Sequence, residues 1–384
     1  MEKTRVDNLW RKWRLLRQTL APQGANGVRL TRADTAVTAQ GEAIMAYYKG
    51  INDYPPGDDA PGQRGWIADG LLRLRAALAV QITDVRRPNS LVIGSWNIRA
   101  FDGGRNRLDE SYHYIAEIID HFDICAVQEI KPDLGPLKRL TNLLGDNWDY
   151  FVTDVTAGDA GNDERMAFLY NRNKVVFRNL IGEIVLPRDA LIDGEQIARS
   201  PFFASFQAGW FRFTLCTAHI RFGDDVGLRA REISALASIL SARSKNEGEV
   251  YVLLGDMNIE SSEDETMAAL QDAGLVVPDF GATNLGGDKL FDHIAFAGEG
   301  TETRLLRKGK FDWRGTVFRP QDVSAYEQIA RDIRSKPDTG KPYANWPGTY
   351  PGWTTHEMSD HLPIWIEIEV DYSDEYLAGI KANR

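Results

Sequence analysis

Cysteine is scarce in this chain of 384 residues. The two present, Cys125 and Cys216, lie in the apolar runs Asp-Ile-Cys-Ala-Val and Thr-Leu-Cys-Thr-Ala. We expect both to be small buried core residues, because free cysteine behaves as a small hydrophobe in protein interiors. The count therefore excludes a disulfide framework and gives no support to a cysteine-based metal site.

Long apolar runs are also missing. No run approaches the roughly 18 apolar residues of a membrane span. The N-terminus, Met-Glu-Lys-Thr-Arg-Val-Asp-Asn-Leu-Trp, lacks an apolar signal core and a small-residue cleavage site. We therefore expect a cytoplasmic protein without stable membrane insertion.

Positive charge is in deficit, since 45 Lys and Arg face 55 Asp and Glu and the net charge is −10. Proteins that hold nucleic acid by broad electrostatics are usually basic, because each phosphate contact needs Lys or Arg. The overall balance gives no support to a nucleic-acid role. It does not exclude one, because a carboxylate-rich metal site lowers the net charge and bound Mg²⁺ restores positive potential.

Residues 1–88 read as a helical N-terminal extension. Apolar residues recur at helical spacing between Leu9 and Leu20, and further helices are predicted at 36–48 and 66–80. The first of these helices is basic and amphipathic. It either packs its apolar face on the main domain or contacts a membrane surface or nucleic acid.

From Leu91 onward the chain alternates short apolar strands with helices. Strands between 150 and 220 follow one another closely, as in antiparallel hairpins. This mixture predicts an α/β (α+β) fold, a four-layer α/β/β/α sandwich of two facing mixed sheets with helices outside. The catalytic domain is placed at 89–372, and 373–384 form a C-terminal tail.

Polar residues of a consistent kind stand at the ends of the predicted strands. A single Asp or Asn there is usually a turn former or helix cap, but so many together indicate a site. Converging carboxylates repel one another unless a hard cation such as Mg²⁺ lies between them. Histidines paired with carboxylates can act in acid–base steps. The residues are Asn97, Glu129, His219, Asp256, Asn258, Asp292, Asp360 and His361.

The motifs that contain these residues resemble those of the endonuclease/exonuclease/phosphatase superfamily, in the same order along the chain. They are Gly-Ser-Trp-Asn-Ile-Arg, Val-Gln-Glu-Ile, Leu-Gly-Asp-Met-Asn, Phe-Asp-His-Ile and Ser-Asp-His-Leu-Pro. The chain is most similar to the deoxyribonuclease I-like branch, intracellular in type. His219 in Thr-Ala-His, the strand that follows Glu164, and Arg199 in Arg-Ser-Pro carry that closer resemblance.

The resemblance implies a role for each residue. Glu129 is the principal Mg²⁺ ligand (Mn²⁺ being a possible substitute), and Asn97 and Asp360 complete the metal site. Two pairs, His219–Glu164 and His361–Asp292, flank the scissile phosphate as general acid and general base in an order that stays open. The remaining implied roles are water orientation by Asp256, a phosphate-oxygen contact by Asn258, and phosphate contacts by Arg199 and Lys131.

Two segments of the sequence differ from what is usual in the deoxyribonuclease I-like branch. The loop before Glu164 reads Thr-Ala-Gly-Asp-Ala-Gly-Asn-Asp and is acidic, where DNA-reading relatives carry Arg and Tyr. The segment 298–358 is long and mixes aromatic with cationic residues. It either stacks bases and holds phosphates or folds onto its own aromatic residues, and both readings stay open.

The leading hypothesis is an Mg²⁺-dependent nuclease whose substrate is DNA, or alternatively RNA. The second is a phosphatase or phosphodiesterase of small phosphoesters or phospholipid headgroups, because the same core residues serve both. The third is a binding module with a lapsed active site. Protein partners are not indicated by the sequence.

Overall fold

The computed structural model describes residues 46–82, 87–103, 107–156, 162–298, 304–333 and 345–382. The helix predicted between Leu9 and Leu20, and most of the one at 36–48, lie outside these residues. Within the described ranges, no helix is long and apolar enough to cross a membrane.

Two β-sheets form the centre of the described chain. Their strands are β1 (Ser90–Phe101), β2 (Ile124–Ile130), β3 (Trp148–Val152), β4 (Arg165–Asn171), β5 (Val176–Glu183), β6 (Phe202–Ala208), β7 (Phe211–His219), β8 (Val250–Asp256), β9 (Asp292–Ala297), β10 (Leu305–Lys310) and β11 (Ile364–Glu369). The first sheet has the order β10-β11-β1-β2-β4-β3, and the second has the order β5-β6-β7-β8-β9. The pairs β1–β2 and β7–β8 are parallel and the others antiparallel, so both sheets are mixed.

Successive side chains of each strand point to opposite faces of its sheet, towards the other sheet or towards the outer helices. On β1, Leu91 and Ile93 pack between the two sheets, whereas Val92 and Trp96 pack towards the helices. Both faces of this strand are therefore buried, which explains its almost continuous apolar sequence.

Helices cover the outer face of each sheet. The first sheet carries α1 (Arg64–Gln81), α2 (Asp109–Asp120) and α3 (Gly135–Leu144), and the second carries α4 (Val226–Glu247) and α5 (Glu265–Asp272). The described chain thus has the predicted α/β/β/α layers, and the predicted fold class is confirmed. Cys125 and Cys216 are free and buried, as expected.

Helix α1 packs on the main sheet although it lies within the predicted N-terminal extension. Its Ile67, Leu74 and Leu78 have no exposed surface and share one core with Trp96 and the helix α2. The predicted tail contains helix α8 (Ser373–Ala382), which has no buried residue.

The segment 298–358 contributes structure that periodicity did not predict. It contains strand β10 and the helices α6 (Val323–Ile333) and α7 (Trp346–Glu357). Six of its described aromatic residues are buried, at 0–7% exposure: Trp313, Phe318, Tyr326, Trp346, Tyr350 and Trp353. The base-stacking interpretation is therefore wrong for these six residues; Tyr343 lies outside the described residues.

Those aromatic residues join the segment to the first helical layer. The Tyr326 hydroxyl accepts a hydrogen bond from Trp66 Nε1 at 3.0 Å and donates one to Glu110. The Phe318 ring lies 5.7 Å from the ring of Tyr114 on α2. The sequence signal was ambiguous because a cluster of aromatic residues suits a buried core as well as a stacking surface.

Candidate active site

The predicted site residues meet at one end of the two sheets. Asn97 and Glu129 lie near the C-terminal ends of the parallel strands β1 and β2, and His219 and Asp256 end the parallel strands β7 and β8. The amide Nδ2 of Asn97 donates to Asp256 Oδ2 at 2.9 Å and so joins the two sheets. The remaining residues reach the same end from antiparallel neighbours: Glu164 before β4, Asp292 at the start of β9 and His361 before β11.

Glu129 is aimed into the site by an irregularity of strand β2. The pairing of β2 with β4 shifts register between Val127 and Ile130, and Glu129 itself has φ of +62°. Such a conformation is costly for a non-glycine residue and is found preferentially at functional sites. The carboxylate accepts from Asn97 Nδ2 at 3.0 Å and from the backbone N–H of Ala100 at 2.7 Å.

His219 and Glu164 form the first pair. The distance from His219 Nδ1 to Glu164 Oε2 is 3.0 Å, and both side chains are buried. Arg199 Nε approaches the same oxygen at 3.0 Å, while Lys131 Nζ donates to Glu164 Oε1 at 3.2 Å. Burial alone would raise the pKa of Glu164, but its interaction with His219 and the charges of Arg199 and Lys131 outweigh burial and lower the pKa to about 2.

His361 and Asp292 form the second pair, with Nδ1 and Oδ2 at 2.8 Å. The hydroxyl of Thr283 donates to the same Oδ2 at 2.6 Å and accepts from the Asp292 backbone N–H at 3.0 Å, which fixes the carboxylate. Burial alone would lower the pKa of His361, but Asp292 and Asp256 outweigh burial and raise the pKa to about 10. The ring is therefore protonated at neutral pH.

Asp256 lies between the two histidines. Its Oδ2 is 3.5 Å from His219 Nε2 and 3.8 Å from His361 Nε2. Its Oδ1 accepts from the backbone N–H of Asn258 at 2.9 Å, and Asn258 has a left-handed φ of +50°. One buried carboxylate thus faces the outer nitrogens of both rings.

The donor set fits a divalent cation. Two groups of side chains in the described ranges place ligand atoms within 4.8 Å of one another, Glu129–Glu164–His219 and Asp256–Asp292–His361. The Oδ1 atom of Asn97 is buried and has no hydrogen-bond partner, whereas a buried polar atom in a native protein usually has a protein, water or ion partner. Oxygen ligands from carboxylates and amides suit Mg²⁺ or Mn²⁺.

Three predicted residues have other partners here. Asp360 belongs to neither group, and its side chain is 42% exposed and lies 3.6 Å from Arg99 Nε. Lys131 and Arg199 both contact Glu164, as described above. Their roles as metal ligand and phosphate contacts stay predictions.

Sequence reasoning missed several positioning residues. Ser359 is fully buried, and its hydroxyl donates to the carbonyl of Asn97 at 2.6 Å and accepts from the backbone N–H of His361 at 3.0 Å. Thr283 holds Asp292. A Thr or Ser that bonds a distant residue has no local signature, and only the Ser of Ser-Asp-His stood inside a recognised motif.

The sequence profile of the Endonuclease/Exonuclease/phosphatase family matches residues 94–362, well over half of the chain. The chain belongs to this family. It is therefore a hydrolase that acts on phosphoester bonds, and the prediction of an enzyme of this class is confirmed.

One relative is similar over part of the chain. A deoxyribonuclease of Thioalkalivibrio sp. (strain K90mix) is 29% identical over 184 residues, 45% of this chain and 48% of that protein. The match thus spans about half the length of that relative.

Two solved structures are similar to parts of this chain. A family protein from Bacteroides thetaiotaomicron is 17% identical, with a TM-score of 0.49 over 75% of this chain and 100% of its own. Truncated Caenorhabditis elegans TDP2 is 15% identical, with a TM-score of 0.46 over 73% and 97%. Likeness at this level carries no information about the substrate.

Proposed function

We propose that this family member is a metal-dependent nuclease of the deoxyribonuclease I-like branch, which hydrolyses phosphodiester bonds of DNA or, alternatively, RNA. The observation that carries the proposal is the position of the Asp256 carboxylate between the Nε2 atoms of His219 and His361, at 3.5 and 3.8 Å. Each histidine is held at its other nitrogen by a buried carboxylate, Glu164 or Asp292.

In the proposed reaction Asp256 accepts a hydrogen bond from the attacking water and orients it towards phosphorus. The water oxygen forms a new bond to phosphorus and passes its proton to His219 as the general base, while the P–O bond to the leaving group breaks and the leaving oxygen takes up a proton. His361 is protonated at rest, so it brings positive charge to the phosphate and has a proton to donate. Asn258 Nδ2 donates one hydrogen to the Ile220 carbonyl at 2.7 Å, which leaves its second N–H for a contact with a phosphate oxygen.

Glu129 and Asn97 would hold the cation, which we propose to be Mg²⁺ with Mn²⁺ as substitute. Once bound, the ion would neutralise charge on the phosphate. The carboxylate of Glu129 is already oriented by Ala100 and Asn97. Loading would then require little rearrangement of the protein.

A second function is favoured by the charge of the site. Lys131 and Arg199 are engaged with Glu164 and the net charge is −10, so the described part of the site offers few free cations to a nucleic-acid backbone. A phosphatase or phosphodiesterase of small phosphoesters or phospholipid headgroups needs fewer such contacts. Under either function a cytoplasmic location remains our proposal, based on two unpaired buried cysteines.

A substrate panel separates the two functions. Purified protein would be assayed with Mg²⁺, Mn²⁺ or chelator on supercoiled DNA, single-stranded DNA, RNA, an aryl phosphodiester and an aryl phosphomonoester, with His219→Ala as control. Metal-dependent cleavage of a polymer that is lost in the variant is the expected result. Activity confined to the small esters would replace the nuclease proposal by the second function.

A further inference from the structure

The loop that follows His219 presents an exposed aromatic side chain. Residues 220–225 join β7 to α4, and Phe222 in this loop is 70% exposed. Leaving a phenylalanine in water forgoes the stabilisation that its burial would give. Its neighbours from Gly223 to Asp225 are exposed and mostly polar, so this part of the loop does not extend Phe222 into an apolar patch.

Hydrogen bonds of three side chains hold the loop in place. Asn258 Nδ2 donates to the carbonyl of Ile220 at 2.7 Å. Arg229 Nη1 donates to the carbonyl of Gly223 at 2.7 Å, and Arg221 Nε donates to Glu232 at 2.9 Å. Arg229 and Glu232 lie on α4 with 1% and 0% exposure. Releasing the loop would take the Arg221 guanidinium away from the buried Glu232 carboxylate and remove a hydrogen bond of the buried Arg229, which is costly, so Phe222 is held outward.

Glu232, which binds Arg221 of the loop, also connects the loop to the candidate active site. Glu232 Oε1 also accepts from the backbone N–H of Ala198 at 3.0 Å, directly before Arg199, whose Nε lies against Glu164. Phe222 stands three residues after His219. At no more than about 3.6 Å for each residue, its Cα is within about 11 Å of that of His219, close enough for its side chain to reach a group that flanks the scissile phosphate.

On the basis of the proposed nuclease function, we propose that Phe222 is a stacking platform for an unpaired nucleobase beside the scissile phosphate. An aromatic ring can stack on any base because every base has a π-face, and this contact needs no cation. Stacking therefore suits a site whose Lys131 and Arg199 are engaged with Glu164. A protein partner would need a far larger surface than one side chain.

The test compares kcat/KM on single-stranded oligothymidylate and on a strand of equal length with abasic sugars only. The variants are Phe222→Ala and Phe222→Trp in the full chain. Trp210→Ala is the matched control, because Trp210 is 46% exposed just before β7, the opposite end of the strand that His219 closes. Base–aromatic stacking predicts that Phe222→Ala lowers kcat/KM on oligothymidylate roughly 5- to 150-fold.

Phe222→Ala should leave the abasic strand unaffected, Phe222→Trp should retain the preference for bases, and Trp210→Ala should change neither rate. An equal loss on both strands, or no loss on either, would overturn the platform while leaving the nuclease function standing. A wild-type protein that hydrolyses small phosphoesters but no oligonucleotide would instead overturn the nuclease function, and the platform with it.

Discussion

The protonation of His361 can be tested with a nearly isosteric change, Asp292→Asn. Asp292 Oδ2 lies 2.8 Å from His361 Nδ1 and Asp256 Oδ2 lies 3.8 Å from Nε2, so Asp292 is the closer counter-charge. A pKa of about 10 in place of 6.5 corresponds to about 5 kcal/mol in favour of the protonated ring, at 1.36 kcal/mol for each pKa unit. A close opposite charge accounts for about 1 to 3 pKa units, and Asp292 acts through both its charge and a hydrogen bond, so we take the upper limit and expect the pKa in Asp292→Asn to fall to about 7.

Imidazole ¹⁵N NMR of metal-free protein would measure this directly, with His361→Gln to assign the signal. His293 is an internal reference, because burial lowers its pKa to about 4 and it should stay neutral at pH 8. We expect a protonated His361 beside a neutral His293 in the wild type, and two neutral rings at pH 8 in Asp292→Asn. At that pH kcat should fall by about 10²- to 10⁴-fold.

The sign of the accompanying stability change follows from linkage. The folded-state pKa of His361 is raised, so its stabilising contribution is present below pH 6.5 and is lost as the pH rises from 6.5 through about 10. Asp292→Asn should flatten this part of the stability profile. A wild-type His361 that titrates near 6.5, or a variant with an unchanged titration, would refute the reasoning.

Three further perturbations have defined outcomes. Glu129→Gln should abolish the rise in Tm that Mg²⁺ or Mn²⁺ gives the wild type; an unchanged rise would exclude Glu129 as a ligand. Glu110→Gln should stabilise the protein at pH 8 by about 3 kcal/mol but not at pH 4. Burial raises the pKa of Glu110 from 4.5 to about 7, so the ionisation of this carboxyl opposes folding. Equal changes in the free energy of urea unfolding at both pH values would contradict this. Leu74→Ala should lower the free energy of unfolding by about 2–5 kcal/mol without lowering kcat. Leu72, on the same helix, is 65% exposed, so Leu72→Ala should change the stability little. Similar losses of stability in both variants would argue that α1 does not belong to the core.

The layers of the fold were predictable because β1 and β2 are buried on both faces and read as apolar runs, while helices such as α4 keep their spacing over many residues. The segment 298–358 was not, because Tyr326 and Trp353 could have served a surface or a core. In the structure both residues are buried, because the segment packs against α1 and α2. These contacts join residues that are distant in sequence, so no local pattern predicts them.

The sequence predicted which residues form the site, but not how the surrounding structure holds them. Residues such as His219 and Asp256 stand at strand ends, where parallel neighbours must meet. The bulge that aims Glu129 leaves no local signal, and the support of Asp292 by Thr283 depends on tertiary packing. The common attachment of Lys131 and Arg199 to Glu164 likewise could not be read from their positions in the chain.

The most direct test of the central claim is the turnover of an aryl phosphodiester by the wild type and by Asp256→Asn at saturating Mg²⁺ or Mn²⁺. The variant keeps the size of the side chain but loses the carboxylate that faces both histidines. We predict metal-dependent turnover in the wild type and a loss of kcat of about 10²- to 10⁴-fold in a folded variant that still binds metal. Unchanged turnover in Asp256→Asn would contradict the account, because the water would then be oriented by another group.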